Sequence, residues 1–461
     1  MLGWGEGLDM ITDTLHLKAP GNWINDPNGF IYYHGKYHLF YQHFPYAPVW
    51  GTMHWGHAVS DDLIHWKHLD IALFPTKAYD RNGVFSGSAI EKDGRLYLYY
   101  SAVRYLDADE ENIHLAVNER YETSQAMVVS EDGYHFDNWK NKRQILPVST
   151  DEEIANPTHT RDPKVWKSGE YYYMVLGSTY REEMGRALFY KSRDAVNWEY
   201  VRQLRDGRFG KILECPDVFR AGDTYVFMGS MMYIGKAESG YEHHAVCMPA
   251  DFNPNTCELD LAAGYQYVDY GLDLYAPQTN TDKDGRRVMI AWMRMPAAAE
   301  APKRRPFNGM MCLPRVVEAI DGHIYFRIHP EVKRYFSREL SPCSLKDFDK
   351  VRGRLHYRVA EGKPCWLKVT MKEGEALDIG GYRVWVERDS VKTDRSQVFA
   401  GIKGHRMASS TPGLSGKYKL DIFVEPNLIE IFVNEGQYVI SNVVYGLKDY
   451  IAGRIEKISL V

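Results

Sequence analysis

At residues 34–41 the chain reads HGKYHLFY, a turn glycine followed by an apolar run of strand length. The same pattern recurs as DGRLYLYY at 93–100, SGEYYYMVL at 168–176, AGDTYVFM at 221–228 and DGRRVMIAW at 284–292. These runs are rich in Tyr, Val and Leu and lack the 3.6-residue period of a helix. Five copies of one hairpin, whose glycines are 53 to 75 residues apart, therefore predict a repeated β-unit.

A second pattern, Ser-x-Asp-x-x-x-aromatic, follows the hairpin in three of the units. It comprises Ser60, Asp62 and Trp66, then Ser130, Asp132 and Phe136, then Ser192, Asp194 and Trp198. We expect it to form a turn that leads into an outer strand. Because a four-stranded antiparallel blade with its loops needs about 40–60 residues, residues 1–335 are expected to form a five-bladed β-propeller. The alternative is that such hairpins recur by chance in another all-β protein.

The pattern changes beyond residue 335. Leu367, Val369 and Met371 alternate with polar residues, and so do the apolar residues of 418–424 and 429–433. Short alternating strands with turn residues between them are typical of a β-sandwich. The sequence therefore predicts an all-β protein, with a propeller at 1–335 and a C-terminal β-sandwich at 336–461.

Composition excludes several functional classes. The chain has 461 residues, of which 44% are hydrophobic and 25% charged, which are ordinary globular values. The formal charge of −5 leaves no basic footprint for nucleic acid. The sequence also lacks an apolar stretch of the 18 or so residues that a membrane span requires. We expect neither a nucleic-acid nor a membrane partner.

Cysteines and the first residues bear on the cellular compartment. The 6 cysteines are scattered without a C-x-x-C pair, as is typical of reduced thiols rather than of a disulfide framework or a zinc site. Residues 1–20 have neither the basic start nor the apolar core of a signal peptide. The sequence predicts a cytoplasmic protein, and we expect a monomer or a homodimer.

Three acidic residues occupy similar places ahead of the turn glycines. Asp26, Asp162 and Glu214 lie seven to nine residues before the glycine of their own unit, and a proline follows each within two residues. Because proline ends strand pairing, we expect each acid to lie where the backbone leaves the sheet and the three to converge at one mouth of a central channel. The residues alone allow a metal cage, glycosidic chemistry by paired carboxyls, or turn carboxylates that accept backbone hydrogen bonds.

These acids belong to longer motifs. The chain reads WINDPNG at 23–29, RDP at 161–163 and EC at 214–215, and it also contains WGTMHWGH at 50–57, FSGS at 85–88 and YAPQ at 275–278. Over nearly its whole length it resembles glycoside hydrolase family 32, which includes invertases, sucrose-6-phosphate hydrolases and fructan hydrolases. The fold of that family is a five-bladed propeller followed by a β-sandwich.

The resemblance implies a retaining β-fructofuranosidase that acts on a small sugar without a metal or another cofactor. Sucrose, sucrose 6-phosphate and short fructooligosaccharides remain open as substrates. By resemblance, Asp26 is the nucleophile, Glu214 the general acid/base and Asp162 the residue that stabilises the transition state. The residues that would shape the fructosyl pocket are Asn25, Gln42, Trp50, Phe85, Ser86 and Arg161.

Two other functions stay open at this point. An inverting or arabinan-directed hydrolase would hold its carboxyls about 6.5–9.5 Å apart, against about 5–5.5 Å in a retaining enzyme. A silent sugar-binding module would be expected to lack one of the three acids. The run Lys303-Arg304-Arg305 is interpreted as a phosphate-binding segment or a solvated loop, and His243-His244 is expected on a loop surface.

Overall fold

The computed structural model describes residues 11–234, 242–341, 348–349, 354–357, 363–399, 401–402 and 404–461. Within these residues the chain is nearly all-β, with seven sheets and one α-helix, α1 (Pro330–Tyr335). The all-β prediction is confirmed. Short 3-10 turns lie at Val117–Glu119, Gly207–Phe209 and Ser396–Val398. None of the helices in the described part of the chain has the length and apolar character needed to cross a membrane.

Five sheets follow one another along the first two thirds of the chain. The first contains β1 (Thr12–Thr14), β2 (Asn22–Tyr33), β3 (Lys36–Phe44), β4 (His54–Ser60) and β5 (His65–Leu73). The second contains β6 (Gly83–Lys92), β7 (Arg95–Tyr105), β8 (Tyr121–Ser130) and β9 (Arg143–Leu146). The third contains β10 (Arg161–Ser168), β11 (Tyr171–Tyr180), β12 (Met184–Ser192) and β13 (Glu199–Arg205).

The next two sheets are interleaved with short strands. The fourth contains β14 (Ile212–Ala221), β15 (Thr224–Met232), β16 (His244–Asn253), β17 (Glu258–Leu261) and β18 (Gln266–Tyr267). The fifth contains β19 (Leu274–Thr281), β20 (Arg287–Met293), β22 (Met310–Met311), β23 (Arg315–Ile320) and β24 (His323–Ile328). Between β20 and β22 in the chain, β21 (Phe307–Asn308) returns to the first sheet and pairs in parallel with β2.

The five sheets close into a ring. Their first long strands β2, β6, β10, β14 and β19 contact one another in this order, and β19 returns to β2. Apolar side chains fill the spaces between successive sheets. The pairing of β21 with β2 adds backbone hydrogen bonds that tie the end of this segment to its beginning. The axis of the ring is therefore lined by the first strand of every sheet.

The two turn patterns are confirmed. The glycines at 35, 94, 169, 222 and 285 all connect the first two long strands of their sheet, with φ between +59° and +82°. Glycine adopts this left-handed conformation without the cost that a Cβ would add. In each Ser-x-Asp pattern the serine hydroxyl donates to the aspartate, and the aspartate accepts two backbone N–H groups. These turns precede the fourth long strand in the first three sheets.

The C-terminal part contains two further sheets. One is ordered β25 (Arg338–Leu340), β37 (Lys457–Leu460), β28 (Cys365–Met371), β33 (Tyr418–Glu425), β34 (Leu428–Val433) and β35 (Tyr438–Val443). The other is ordered β26 (Phe348–Asp349), β27 (Arg354–Leu355), β36 (Ile451–Ala452), β29 (Ala376–Ile379), β30 (Tyr382–Glu387), β31 (Ser390–Asp394) and β32 (Ala408–Ser410). The two sheets share one apolar core.

Buried ion pairs connect the ring of sheets to the C-terminal sheets. Arg315 of β23 lies 2.7 Å from Glu430 of β34, and both side chains are excluded from solvent. Arg395 pairs with Asp273 in the same way. Since removal of one partner from such a pair leaves an uncompensated buried charge, these contacts hold the two parts in one fixed arrangement.

Candidate active site

Each first strand carries a β-bulge at a corresponding point. The pairing register shifts in β2 after Ile24, in β6 after Val84, in β10 after Arg161, in β14 after Glu214 and in β19 after Tyr275. The expectation that the backbone leaves the sheet at each proline is wrong, because strand pairing resumes within three residues. A bulge re-aims side chains without ending the strand, and here it does so around the whole ring.

The three acids take different positions in their bulges. Asp26 is the second of the two unpaired residues, Asp162 is the first, and Glu214 is the last paired residue before the bulge. Asp162 has φ of +65° and Cys215, which follows Glu214, has φ of +45°. A non-glycine residue in this region is strained, so the surrounding contacts must hold both residues in place.

One cavity of about 280 Å³ opens where the bulges meet. It is lined by all nine residues that the sequence assigned to the site: Asn25, Asp26, Gln42, Trp50, Phe85, Ser86, Arg161, Asp162 and Glu214. Met53, Tyr121, Tyr275 and Trp292 complete the lining. The cavity thus receives a side chain from the first strand of each of the five sheets.

Asp26 is held by two donors. The Ser86 hydroxyl donates to its Oδ2 at 2.6 Å, and Asn25 Nδ2 donates to its Oδ1 at 3.1 Å. Asn25 is itself oriented by Trp23, whose indole N–H donates to Asn25 Oδ1 at 2.8 Å. Each carboxylate oxygen of Asp26 therefore accepts a hydrogen bond, and the two bonds together fix the orientation of the carboxylate.

Glu214 is held by a cation and a phenol. Arg161 donates from Nε and Nη2 to Oε1 at 3.1 and 2.8 Å, and the Tyr275 hydroxyl donates to Oε2 at 2.6 Å. The third guanidinium nitrogen, Nη1, lies 3.1 Å from Nδ1 of His159. Both oxygens of Glu214 therefore have a donor, and its side chain keeps 20% exposure to the cavity.

Asp162 is linked to Asp26 through Cys215. The backbone N–H of Cys215 donates to Asp162 Oδ2 at 2.8 Å. The Cys215 Sγ lies 3.5 Å from Oδ2 of both Asp162 and Asp26. Burial, together with the neighbouring carboxylates, raises the pKa of the Cys215 thiol well above its usual value, so the sulfur remains a neutral donor.

The charge states of the three acids are unequal. Burial raises the pKa of Asp26 in spite of the Ser86 hydrogen bond. Burial also raises the pKa of Asp162, to about 7, although Arg161 opposes it. Burial alone would raise the pKa of Glu214 as well, but the Arg161 charge and the Tyr275 hydrogen bond outweigh it and lower that pKa. These directions favour a proton on the aspartates over a proton on Glu214 when no ligand is bound.

Aromatic and amide groups form the wall of the cavity. Trp50, which is 38% exposed, meets Phe85 edge to face with ring centroids 6.0 Å apart. Gln42 is almost fully buried and donates to the backbone carbonyl of Val84 at 3.1 Å. A flat apolar face beside fixed polar groups suits a sugar ring, which has apolar C–H faces and polar edges.

Two expectations outside the motifs are corrected by the structure. His244 is buried within β16 and so does not lie on a loop surface, whereas His243 lies in the loop just ahead of that strand, half-buried, with its ring centroid 6.5 Å from that of Tyr275. Arg304 is neither solvated nor free for phosphate: its Nη2 lies 2.5 Å from Asp13 Oδ1 and its Nη1 donates to the carbonyl of Ala19. The Arg304 contacts join segments far apart in sequence, so local sequence patterns could not predict them.

The roles of Tyr275 and Cys215 at the cavity did not follow from sequence spacing. Their motifs, YAPQ and EC, marked the positions, but the contacts to Glu214 and to the two aspartates depend on the closed ring. Among the described residues, none of the groups of His, Cys, Asp and Glu has an arrangement suited to a metal ion. The described lining thus offers carboxyl, hydroxyl, amide and aromatic groups.

Comparisons with known proteins match both parts of the chain. Residues 16–330 match the family described as glycosyl hydrolases family 32 N-terminal domain, and residues 361–456 match the glycosyl hydrolases family 32 C terminal. The chain is 33% identical to the sucrose-6-phosphate hydrolase of Escherichia coli over 443 residues, which cover 93% of this chain and 88% of that protein. It is 32% identical to the raffinose invertase of Escherichia coli over 453 residues, or 94% and 89% of the two chains.

A solved structure agrees over the same length. A variant of the Bombyx mori family 32 β-fructofuranosidase in complex with sucrose aligns with a TM-score of 0.76 and 27% identity. The alignment covers 97% of this chain and 92% of that one. With family matches over both parts, relatives above 30% identity over nearly the full length, and three carboxyls in one cavity, the chain belongs to glycosyl hydrolase family 32 and is a glycoside hydrolase.

Proposed function

We propose that this protein is a retaining β-fructofuranosidase. It would hydrolyse the β-fructosyl linkage of sucrose, sucrose 6-phosphate or a short fructooligosaccharide through a covalent fructosyl-enzyme. The observation that carries the proposal is the convergence of Asp26, Asp162 and Glu214 on one sugar-sized cavity. The names of the relatives, which include sucrose-6-phosphate hydrolase and invertase, support the substrate class.

In this proposal Asp26 attacks the anomeric carbon of the fructosyl unit. Its two oxygens are held by Ser86 and Asn25, which leaves the carboxylate oriented before substrate arrives. Such preorganisation lowers the barrier because no solvent has to rearrange during the reaction. The C–O bond to the leaving group breaks as the Asp26–fructosyl bond forms, and the transition state has oxocarbenium character.

Glu214 would protonate the departing oxygen and then, as a carboxylate, take a proton from the water that hydrolyses the intermediate. The acid step requires Glu214 to carry a proton, whereas without a ligand Arg161 and Tyr275 favour its ionised form. We propose that fructosyl hydroxyls donate to Asp162 and Asp26, stabilise their charged forms and shift the cluster's proton to Glu214. After Glu214 has given its proton to the leaving group, Arg161 and Tyr275 stabilise its carboxylate form again.

Asp162 would not react but would bind sugar hydroxyls and stabilise the positive charge that develops in the transition state. It is buried, and the Cys215 backbone N–H holds its Oδ2. Trp50 and Phe85 would contact the apolar faces of the sugar, while Gln42 and Arg161 complete the polar wall. A site of buried hydroxyl-binding groups discriminates strongly against sugars that lack the matching hydroxyl.

We further propose that the ring of five sheets is a five-bladed β-propeller over residues 1–335 and that residues 336–461 form a β-sandwich. The cyclic contacts of the first strands support the propeller. The shared core of the two C-terminal sheets supports the sandwich. β25 begins at Arg338 and pairs with β37 of the C-terminal part, which supports a boundary near residue 335. The oligomeric state, a monomer or a homodimer, stays a prediction.

The decisive experiment measures the anomeric configuration of the released fructose and tests whether azide restores the activity of variants at the two proposed catalytic acids. With sucrose, the wild-type enzyme should release fructose first in the β-configuration, as detected by NMR before the sugar equilibrates. Asp26→Ala should lose at least ~10⁴-fold in kcat, and azide should restore turnover by giving an α-fructosyl azide. Glu214→Ala should lose ~10²–10⁴-fold, with azide giving the β-product and with larger losses for poor leaving groups.

An exposed carboxylate supplies the control. Asp61→Ala removes an acid that pairs with Lys36 at the surface, so its kinetics should match the wild type. Initial release of α-fructose would instead identify an inverting enzyme. Full activity of Asp26→Ala would remove the basis of the proposal. Comparison of kcat/KM for sucrose, sucrose 6-phosphate and kestose in the same assay ranks the three substrates.

A further inference from the structure

The end of the ring opposite the active site holds a second cavity of about 350 Å³. It is lined by all five first strands, through Ile31, Glu91, Lys167, Arg220 and Asn280. These residues lie five or six positions beyond the active-site residue of the same strand, or about 17–20 Å along it. None of the residues that line this cavity lines the active site.

The charge of this cavity is positive. Its lining includes Lys164, Lys167, Arg220 and Arg287 but only one carboxylate, Glu91. Lys164 lies 3.1 Å from Asp217, and Arg220 lies 3.7 Å from Asp223. Within the described residues, neither Arg287 nor Lys167 has a carboxylate within ion-pair distance. Asp217 acts on Arg287, and Asp93 on Lys167, only from beyond ion-pair distance, so both cations in this cavity are partly rather than fully neutralised.

Arg287 gives the clearest sign of a missing partner. Its Nε is buried without a hydrogen-bond acceptor in the described part of the chain. Its Nη1 reaches only Thr279 Oγ1, at 3.5 Å, and its guanidinium lies 5.2 Å from the ring of Phe219. Burial of a charged donor without an acceptor is costly. Phosphate oxygens match the planar fork of a guanidinium and would provide the acceptors.

We propose that this cavity is a binding site for a small phosphomonoester such as a sugar monophosphate. Arg287 and Lys167 would hold the phosphate, and Glu91 would accept hydrogen bonds from hydroxyls of the organic part. The volume supports this choice over inorganic phosphate, because it lies within the range of about 300–1,000 Å³ that small-molecule sites occupy. The site is separate from the fructosyl cavity and does not depend on the activity proposed for it.

Calorimetric titration of the full chain tests the site. The probes are glucose 6-phosphate, inorganic phosphate and glucose, each in the presence of saturating fructose. Glucose 6-phosphate should bind saturably, phosphate more weakly, and glucose not at all. Arg287→Gln should weaken glucose 6-phosphate binding by at least about tenfold, since a charge-assisted hydrogen bond is lost. Lys167→Gln, at an exposed side chain, should weaken it by several-fold.

Arg181→Gln is the matched control. It removes an exposed arginine from the turn between β11 and β12, outside this cavity, and should bind glucose 6-phosphate as the wild type does. Sucrose hydrolysis by Arg287→Gln and Lys167→Gln should be unchanged, because neither residue lines the active site. Lack of saturable glucose 6-phosphate binding to the wild type would overturn the proposal. An affinity for glucose 6-phosphate in both variants that equals that of the wild type would also overturn it. Equal affinity for phosphate and glucose 6-phosphate would overturn the phosphomonoester assignment. If Arg287→Gln fails to fold, Lys167→Gln decides.

Discussion

Hydrogen-bond donors oppose the effect of burial on the protonation of two carboxyl groups in the active-site cavity, Asp26 and Glu214. Ser86 stabilises the charged form of Asp26, and Tyr275 and Arg161 stabilise that of Glu214, each against the effect of burial. A charge-assisted hydrogen bond contributes about 1.5–3 kcal/mol, which corresponds to about one or two units of pKa. Loss of one hydroxyl should therefore move a limb of the pH–rate profile.

Ser86→Ala should move the acid limb of kcat, which reports the enzyme–substrate complex, to higher pH. The hydroxyl lowers the pKa of Asp26, so its removal raises that pKa further. The nucleophile works as a carboxylate, and activity is present above this pKa and lost as the pH falls through it. We expect a shift of about one to two pH units, measured with sucrose between pH 4 and 9. Ser130→Ala, in the Ser-x-Asp turn of the second sheet and outside the active-site cavity, should leave the limb in place.

Tyr275→Phe should act on the opposite limb. Without the phenol donor the pKa of Glu214 rises, so its protonated form persists to higher pH in the substrate complex and the basic limb of kcat moves upward. We also expect kcat to fall about 10-fold or more, because a positioned carboxyl loses one of its hydrogen bonds. Tyr233→Phe is the control, since that ring faces His243 with centroids 4.8 Å apart and does not line the active-site cavity. An unchanged profile in Tyr275→Phe would contradict its positioning role.

At the level of strands, the bulges decide where the chemistry lies. Five long strands run through the ring, and each carries a bulge beside the active-site cavity; β2 has a second register shift between Asn28 and Ile31. The bulges re-aim side chains that would otherwise alternate regularly along the strand. The bulge of β6 is closely packed: the backbone N–H of Gly87 donates to Asn28, and its carbonyl accepts from Gln278. This packing fixes Ser86 beside Asp26.

Gly87→Ala should disrupt both stability and catalysis. A Cβ at this residue would lie 1.8 Å from the backbone carbonyl oxygen of Tyr99, so β6 and β7 would have to separate. We expect a loss of about 2–3 kcal/mol in the free energy of unfolding, measured with urea, and a large fall in kcat. Gly94→Ala in the turn of the same hairpin is the control. There a Cβ would meet nothing within 4 Å, and only the positive φ of +73° costs about 1 kcal/mol.

Across the molecule, buried charges connect parts that are distant in sequence. His16, ahead of β2, lies 2.8 Å from Glu430 and 3.2 Å from Glu425, both in the C-terminal sheet. Lys18 adds a third contact, 3.0 Å from Glu425. These groups are shielded from solvent, so salt screens them little. Their charge states should control how firmly the C-terminal sheets are held.

The stability of the protein should fall at alkaline pH. Burial alone would lower the pKa of His16, but Glu425 and Glu430 raise it to about 9. A raised folded-state pKa contributes stability that is fully present below the unfolded value of about 6.5 and is lost as the pH rises through about 9. The contribution is of order 3 kcal/mol. The free energy of unfolding of the wild type, measured with urea, should therefore fall between pH 7 and 10.

His16→Gln tests the origin of this alkaline loss. The variant should be less stable than the wild type at pH 6 and should show a flatter dependence of the free energy of unfolding between pH 7 and 10. His135→Gln changes an exposed histidine that contacts an aspartate of its own turn, so its pH dependence should follow the wild type. The same slope in His16→Gln and in the wild type would place the titrating group elsewhere.

Local patterns in the sequence were sufficient for the turns, the β-class and the positions of the three acids. A turn glycine with positive φ, or a serine that caps an aspartate turn, acts within a few residues, so its signature is legible along the chain. The bulges, the Tyr275 and Arg161 contacts to Glu214, the burial of His244 and the pairing of Arg304 with Asp13 were not legible in this way. The Glu214 contacts and the Arg304–Asp13 pair join residues about 50 to 290 positions apart. Only closure of the ring brings such groups within hydrogen-bonding distance, and their mutual burial then decides which of the carboxyls carries the proton.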